Sequence, residues 1–152
     1  MSFVKNGLNL PGDKEDKCCW CLPINIGVIL IGLGFIGWAF RAIQFALLNI
    51  QVGGSFLIWG ILYAVCSAPM VLASLMFLKF CKDRNATDGR EGMEKGCTLT
   101  VLGLVALSIV TLISGIVNGS LGLSLNYVIS FGIDGLVYLY FLAVCKRFTS
   151  QL

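Results

Sequence analysis

Seven cysteines, one aspartate and one arginine hold most of the chemistry open to this chain. Cys18, Cys19, Cys21, Cys81, Cys97 and Cys145 all flank apolar stretches, whereas Cys66 lies inside one. Three chemistries fit thiols at such boundaries. Reversible palmitoylation favours a cysteine beside a membrane, because the acyl chain enters the adjacent leaflet. Zinc would take two thiolates from Cys18-x-x-Cys21 and two more from Cys81, Cys97 or Cys145, with the ends of separate segments converging on a tetrahedron. A cysteine at a helix end also serves simply as a small apolar residue. The spacing leaves all three open.

Asp134 stands near the middle of an apolar segment, in Ser130-Phe131-Gly132-Ile133-Asp134-Gly135-Leu136. An ionised carboxylate in a bilayer costs about 2.5–3.5 kcal/mol on insertion scales, so a proton relay, a cation site or an ion pair is the expected reason for one. A protonated acid hydrogen-bonded to a carbonyl or hydroxyl is the structural alternative. Arg41 is the candidate partner. Counted from Leu22 at 1.5 Å per residue it lies about 28 Å along its segment, and Asp134 lies about 15–20 Å from either face, so pairing asks for tilt or reach. No other acid lies within an apolar segment, and transport needs more than one. Histidine is absent, and no glycine loop with its lysine cradles a phosphate. The chain reads as a non-enzyme without a cofactor, its small-molecule partners being bound lipids.

The elements that position these residues follow from composition. Of 152 residues, 57% are hydrophobic and 12% charged, against roughly 25% charged in a soluble domain. A spanning helix needs about 20 mostly apolar residues, and four stretches qualify. The expected architecture is an all-α integral membrane protein, an antiparallel four-transmembrane-helix bundle with both termini cytosolic. Residues 1–21 form a cytosolic segment with the cysteine cluster. Residues 22–145 form the membrane domain, with helices over about 22–48, 55–80, 97–117 and 121–145, and residues 146–152 a short cytosolic tail. Orientation follows from charge. Ten of the eleven Lys and Arg residues precede the first segment, lie at or between the facing ends of the second and third, or follow the fourth. Positive charge near short loops stays on the cytoplasmic side. The first seventeen residues are polar, so the first segment is expected to serve as its own signal anchor. The stretch 82–95 mixes signs and reads as a solvated hairpin.

Lipid is as apolar as leucine, so close packing over small residues must join the helices. Gly27 and Gly34 lie two turns apart on the first segment. Gly60, Ala64 and Ala68 repeat every four residues on the second, and Thr111, Gly115 and Gly119 do so on the third; Gly132 and Gly135 flank Asp134 on the fourth. A small surface on every helix leaves room for contacts between protomers.

The stretch Cys18-Cys19-Trp20-Cys21-Leu22-Pro23-Ile24-Asn25-Ile26-Gly27-Val28-Ile29-Leu30-Ile31-Gly32 joins a cysteine cluster to Gly-x-x-x-x-Gly at the opening of the first segment. In this it resembles the lysosome-associated four-helix transmembrane proteins. The resemblance, over these fifteen residues, implies a four-helix membrane fold and a role as endolysosomal transporter or trafficking adaptor, with Asp134 at a proton- or cation-sensitive site. Members of that family usually carry tyrosine-based sorting motifs in the cytosolic tail, and residues 146–152 contain no tyrosine. The residues themselves point first to a structural role: a multi-pass protein of an endomembrane or the plasma membrane, packing with itself or with other membrane-protein subunits to organise the bilayer, and binding no nucleic acid.

Overall fold

A computed structural model describes residues 17–18, 22–83 and 86–150. A two-residue antiparallel pair, β1 (Lys17–Cys18) and β2 (Leu22–Pro23), leads into four helices. These are α1 (Ile24–Val52), α2 (Phe56–Lys82), α3 (Thr87–Val117) and α4 (Leu121–Ser150). Each is long and apolar enough to cross a membrane. Each also turns large aliphatic side chains outward, among them Leu48 on α1, Val65 on α2, Ile116 on α3 and Leu136 on α4. A water-soluble monomer rarely exposes apolar surface on that scale, whereas lipid solvates it.

The connections are short for identifiable reasons. Gly53 and Gly54 both adopt positive φ, 71° and 59°, which reverses the chain between α1 and α2 without a Cβ clash. Gly119, at φ 69°, does the same between α3 and α4. It therefore forms a turn instead of extending the Thr111–Gly115 packing surface, because α3 already ends at Val117.

α1 and α2 begin and end within four residues of their expected bounds, whereas α3 and α4 run further. α3 begins at Thr87, ten residues before the expected start, and so takes up most of the stretch read as a hairpin. Asp88, Glu91 and Lys95 are exposed and Arg90 and Glu94 half-buried, while Gly89, Met93 and Gly96 continue the buried face. Charge density concealed a helical period. α4 likewise runs through the expected tail to Ser150. Lys146 and Arg147 are exposed, yet Val144, Cys145 and Phe148 keep to the core at helical spacing. The Arg90 guanidinium holds this end, 4.3 Å from the centre of the Phe148 ring and donating to the Phe148 carbonyl at 3.3 Å.

Each helix packs most extensively on its neighbour in sequence, α1 on α2, α2 on α3 and α3 on α4. The core extends to the charged ends of the helices. Phe35, Phe80, Met93, Cys97 and Cys145 are there almost completely enclosed. Phe35 is wedged between helices: its ring would sit 2.8 Å from a Cβ on Gly96 of α3, and it stacks on Tyr138 of α4 at 5.8 Å.

Candidate functional site

The contact between α1 and α4 is sparse and made largely by aromatic rings. Phe35 stacks on Tyr138, Trp38 meets Phe131 edge-on at 5.7 Å, and Phe45 meets Tyr127 edge-on at 5.4 Å. The α1 numbers rise as the α4 numbers fall. The matching was present in the sequence: aromatics at i, i+3 and i+10 on α1 face aromatics at i, i+4 and i+11 on α4. Each such pair contributes about 0.5–1.5 kcal/mol beyond area burial.

Arg41 and Asp134 flank this aromatic ladder. Arg41 is exposed, and its guanidinium lies 5.3 Å from the centre of the Trp38 ring. It also borders a cavity of about 10 Å³ closed by Trp38, Phe45, Tyr63 and Phe131. That volume holds one water molecule at most. Asp134 is half-buried, one helical turn before Tyr138. Since Trp38 meets Phe131 and Phe35 meets Tyr138, Arg41 and Asp134 are offset by roughly four residues, about 6 Å in depth. Counting residues along isolated segments implies a somewhat larger offset, about 8–13 Å. Among the described residues, however, no ion pair joins them.

The boundary cysteines separate into two environments. Cys97 and Cys145 are completely buried and face each other across α3 and α4, sulfur to sulfur at 3.7 Å. Enclosed thiols give an acyl-transfer enzyme no access, so these two pack as small apolar groups. Cys81 is exposed at the end of α2, and Cys66 is half-buried within it. Cys18 belongs to β1, while Cys19 and Cys21 lie outside the described residues. Among the described residues no three Cys, His, Asp or Glu side chains gather as metal ligands.

The small residues also divide. Gly27 is buried, and Gly34 admits the Tyr138 hydroxyl. Gly60 takes α1 at close range, with Ile50 N 2.9 Å and Ala46 O 3.0 Å from where its Cβ would stand. Gly115 accommodates the Ser124 side chain, and buried Thr111 accepts a hydrogen bond from the Tyr63 hydroxyl at 3.2 Å. Ala64 and Ala68, by contrast, are exposed. Steps of four advance roughly 40° around a helix, so the stripe that starts inward at Gly60 drifts out to lipid. Gly132 is exposed, Gly135 half-buried, and a Cβ on either would meet nothing within 4 Å. They floor an open groove of about 180 Å³ between α3 and α4, walled by Val101, Val105, Leu136 and Leu139.

Sequence reasoning missed a second groove, of about 320 Å³, between α2 and α3 at the charged end. Lys79, Asp88, Glu91 and Lys95 line it over Met76 and Gly92. Its signal, an i, i+3, i+7 charge spacing on α3, was hidden once that stretch was read as a loop.

Together the elements define a class: an all-helical, multi-pass membrane protein whose four helices form one bundle with short connections. No family model, curated protein or solved structure matches the chain.

Proposed function

We propose that this protein is a non-enzymatic, structural four-span membrane protein that associates with itself, or within a larger membrane assembly, to organise the bilayer. Its helices run antiparallel with both termini cytosolic. The ten cations that the sequence places before the first span, between the second and third, and after the fourth support that orientation, as do the opposed numbers of the aromatic contacts.

One observation carries the proposal: small residues remain on the outside after the bundle has used those it needs. Gly132 and Gly135 line an open lateral groove, and Ala64 and Ala68 lie on the outward side of α2. Such surfaces let another helix approach closely, which is what drives association in lipid. Arg41 and Asp134 strengthen the reading. Each is costly alone in a bilayer, and a two-fold contact would supply both charges at once, Arg41 of each copy meeting Asp134 of the other. Cys81 and the N-terminal cluster are the acylation sites in this scheme, anchoring the cytosolic leaflet.

Electron microscopy of the protein reconstituted into lipid, with particle mass measured alongside, tests this. Large uniform oligomers or arrays are expected. Gly132→Leu with Gly135→Leu should disperse them while helical content stays unchanged. Monomers from the wild-type chain would overturn the proposal. Asp134, half-buried and without an ion pair among the described residues, favours one other reading, an endolysosomal transporter or trafficking adaptor. In that case Asp134→Asn abolishes proton or cation flux in liposomes that the wild-type protein supports.

A further inference from the structure

Charged and amide side chains that face outward within the spans are confined to one side of the bundle. From Phe56 to Leu78 on α2, and from Leu99 to Val117 on α3, every exposed residue is apolar. On α1, by contrast, Arg41 and Gln44 are exposed, and on α4 Asn126 is exposed with Ser130 and Asp134 half-buried. Gly37, Arg41 and Gln44 follow at steps of four and three, and Asn126, Ser130 and Asp134 at steps of four, so each set forms one stripe. The stripes flank the aromatic ladder: Trp38 and Phe45 lie beside the first, Tyr127 and Phe131 beside the second, and these rings meet in between. Among the described residues none of the five polar side chains makes a hydrogen bond or an ion pair within the chain. Hydrocarbon offers them no partner either.

The ladder also sets their depths. Counted from the nearest ring contact, Gln44 and Asn126 differ in depth by about 3 Å, as do Arg41 and Ser130, and Gly37 and Asp134. A two-fold axis along the membrane normal preserves depth. It therefore sets the α1 stripe of one copy against the α4 stripe of the other, amide level with amide, guanidinium with hydroxyl, and glycine with carboxylate. A face that carries a cation and an amide on one flank, and an anion and an amide on the other, is its own complement.

We propose that the outward α1–α4 face is an isologous docking surface for a second copy of this chain. Gln44 hydrogen-bonds the partner's Asn126, and Arg41 donates to the partner's Ser130 and Asp134. Gly37, where a Cβ would meet nothing within 4 Å, lets the partner helix come close. The surface rests on the reading that the chain associates with itself. It is separate from the groove floored by Gly132 and Gly135, which opens on the other flank of α4, against α3.

The test is photo-cross-linking of the full chain reconstituted in lipid, with a benzophenone side chain at Leu48. That position is exposed one turn from Gln44 and leaves every polar group in place. Irradiation should give a covalent dimer on a reducing gel, with the attached peptide in α4 near Leu123. The same probe at Leu75, exposed on α2, should give none. Gln44→Leu with Asn126→Leu should weaken dimerisation about eightfold at unchanged helical content, the loss of two interhelical hydrogen bonds at about 0.6 kcal/mol each. Undiminished dimerisation of that variant, or a Leu48 cross-link to α2 or α3, overturns the proposal. Dimers from a probe at Leu136 in the glycine groove, but none from Leu48, also overturn it and leave self-association standing. No dimer from any position removes self-association itself, and this surface with it.

Discussion

Replacing Gly60 by alanine tests the bundle's tightest helix contact against backbone. A Cβ there would lie 2.6 Å from Ile50 Cγ1, 2.9 Å from Ile50 N and 3.0 Å from Ala46 O. The first of these atoms can rotate away, but the other two belong to the α1 backbone, so the helices must separate. Overpacking of this kind costs about 1–3 kcal/mol. Alanine also improves helix propensity by about 1 kcal/mol over glycine, which would mask part of that loss. Gly37→Ala supplies the control, because this exposed mid-helix glycine of α1 receives the same gain in propensity where nothing lies within 4 Å. The difference between the variants thus isolates the steric term: Gly60→Ala should be less stable by about 1–3 kcal/mol. Reversible unfolding of both in dilute detergent micelles, followed by circular dichroism, measures it. Equal stability, or a more stable Gly60→Ala, would refute the packing of α1 on α2 through Gly60.

Three further outcomes are expected. Arg41→Asp and Asp134→Arg should each disrupt oligomers, by an amount on the scale of an unpaired intramembrane charge, about 2.5–3.5 kcal/mol, and the double exchange should restore particle mass; if the double variant behaves as the sum of the singles, the pairing between copies is wrong. A polar maleimide should label Cys81 in the folded protein and leave Cys97 and Cys145 unmodified until denaturant is added, while Cys81→Ser should lose one hydroxylamine-sensitive acyl chain by intact mass; native labelling of Cys97 would contradict its burial. Tyr63→Phe should destabilise the bundle by about 0.6 kcal/mol, the average for an interhelical hydrogen bond in a membrane protein, and a double-mutant cycle with Thr111→Val should show non-additivity; independent effects would remove that bond from the account.

Hydropathy and glycine punctuation made the four helices legible, because lipid enforces one long apolar run per span and the turns need positive φ at Gly53, Gly54 and Gly119. The helix ends were less legible. At Thr87 and Ser150 the chain leaves the apolar run while its buried face continues, and hydropathy averages both sides of a helix. The direction in which each small residue points was also hidden. Gly60 and Ala64 belong to one spacing pattern, yet only the position of α1 determines that the first is buried and the second faces lipid. The cysteines show the same limit. Proximity to a boundary was readable for Cys81, Cys97 and Cys145 alike, but the mutual burial of the last two arises from the crossing of α3 and α4.

The order of packing along the chain also governs how the molecule is made. Because each helix rests chiefly on the one synthesised just before it, a segment leaving the ribosome already has its principal binding surface in the membrane. Contacts of such short sequence separation form quickly. Only the aromatic ladder joining α1 to α4 must wait for the last span, which makes ring closure the final event of biogenesis. The same line is where the ring opens at least cost: parting α1 from α4 breaks a few ring contacts and leaves three helix pairs whole.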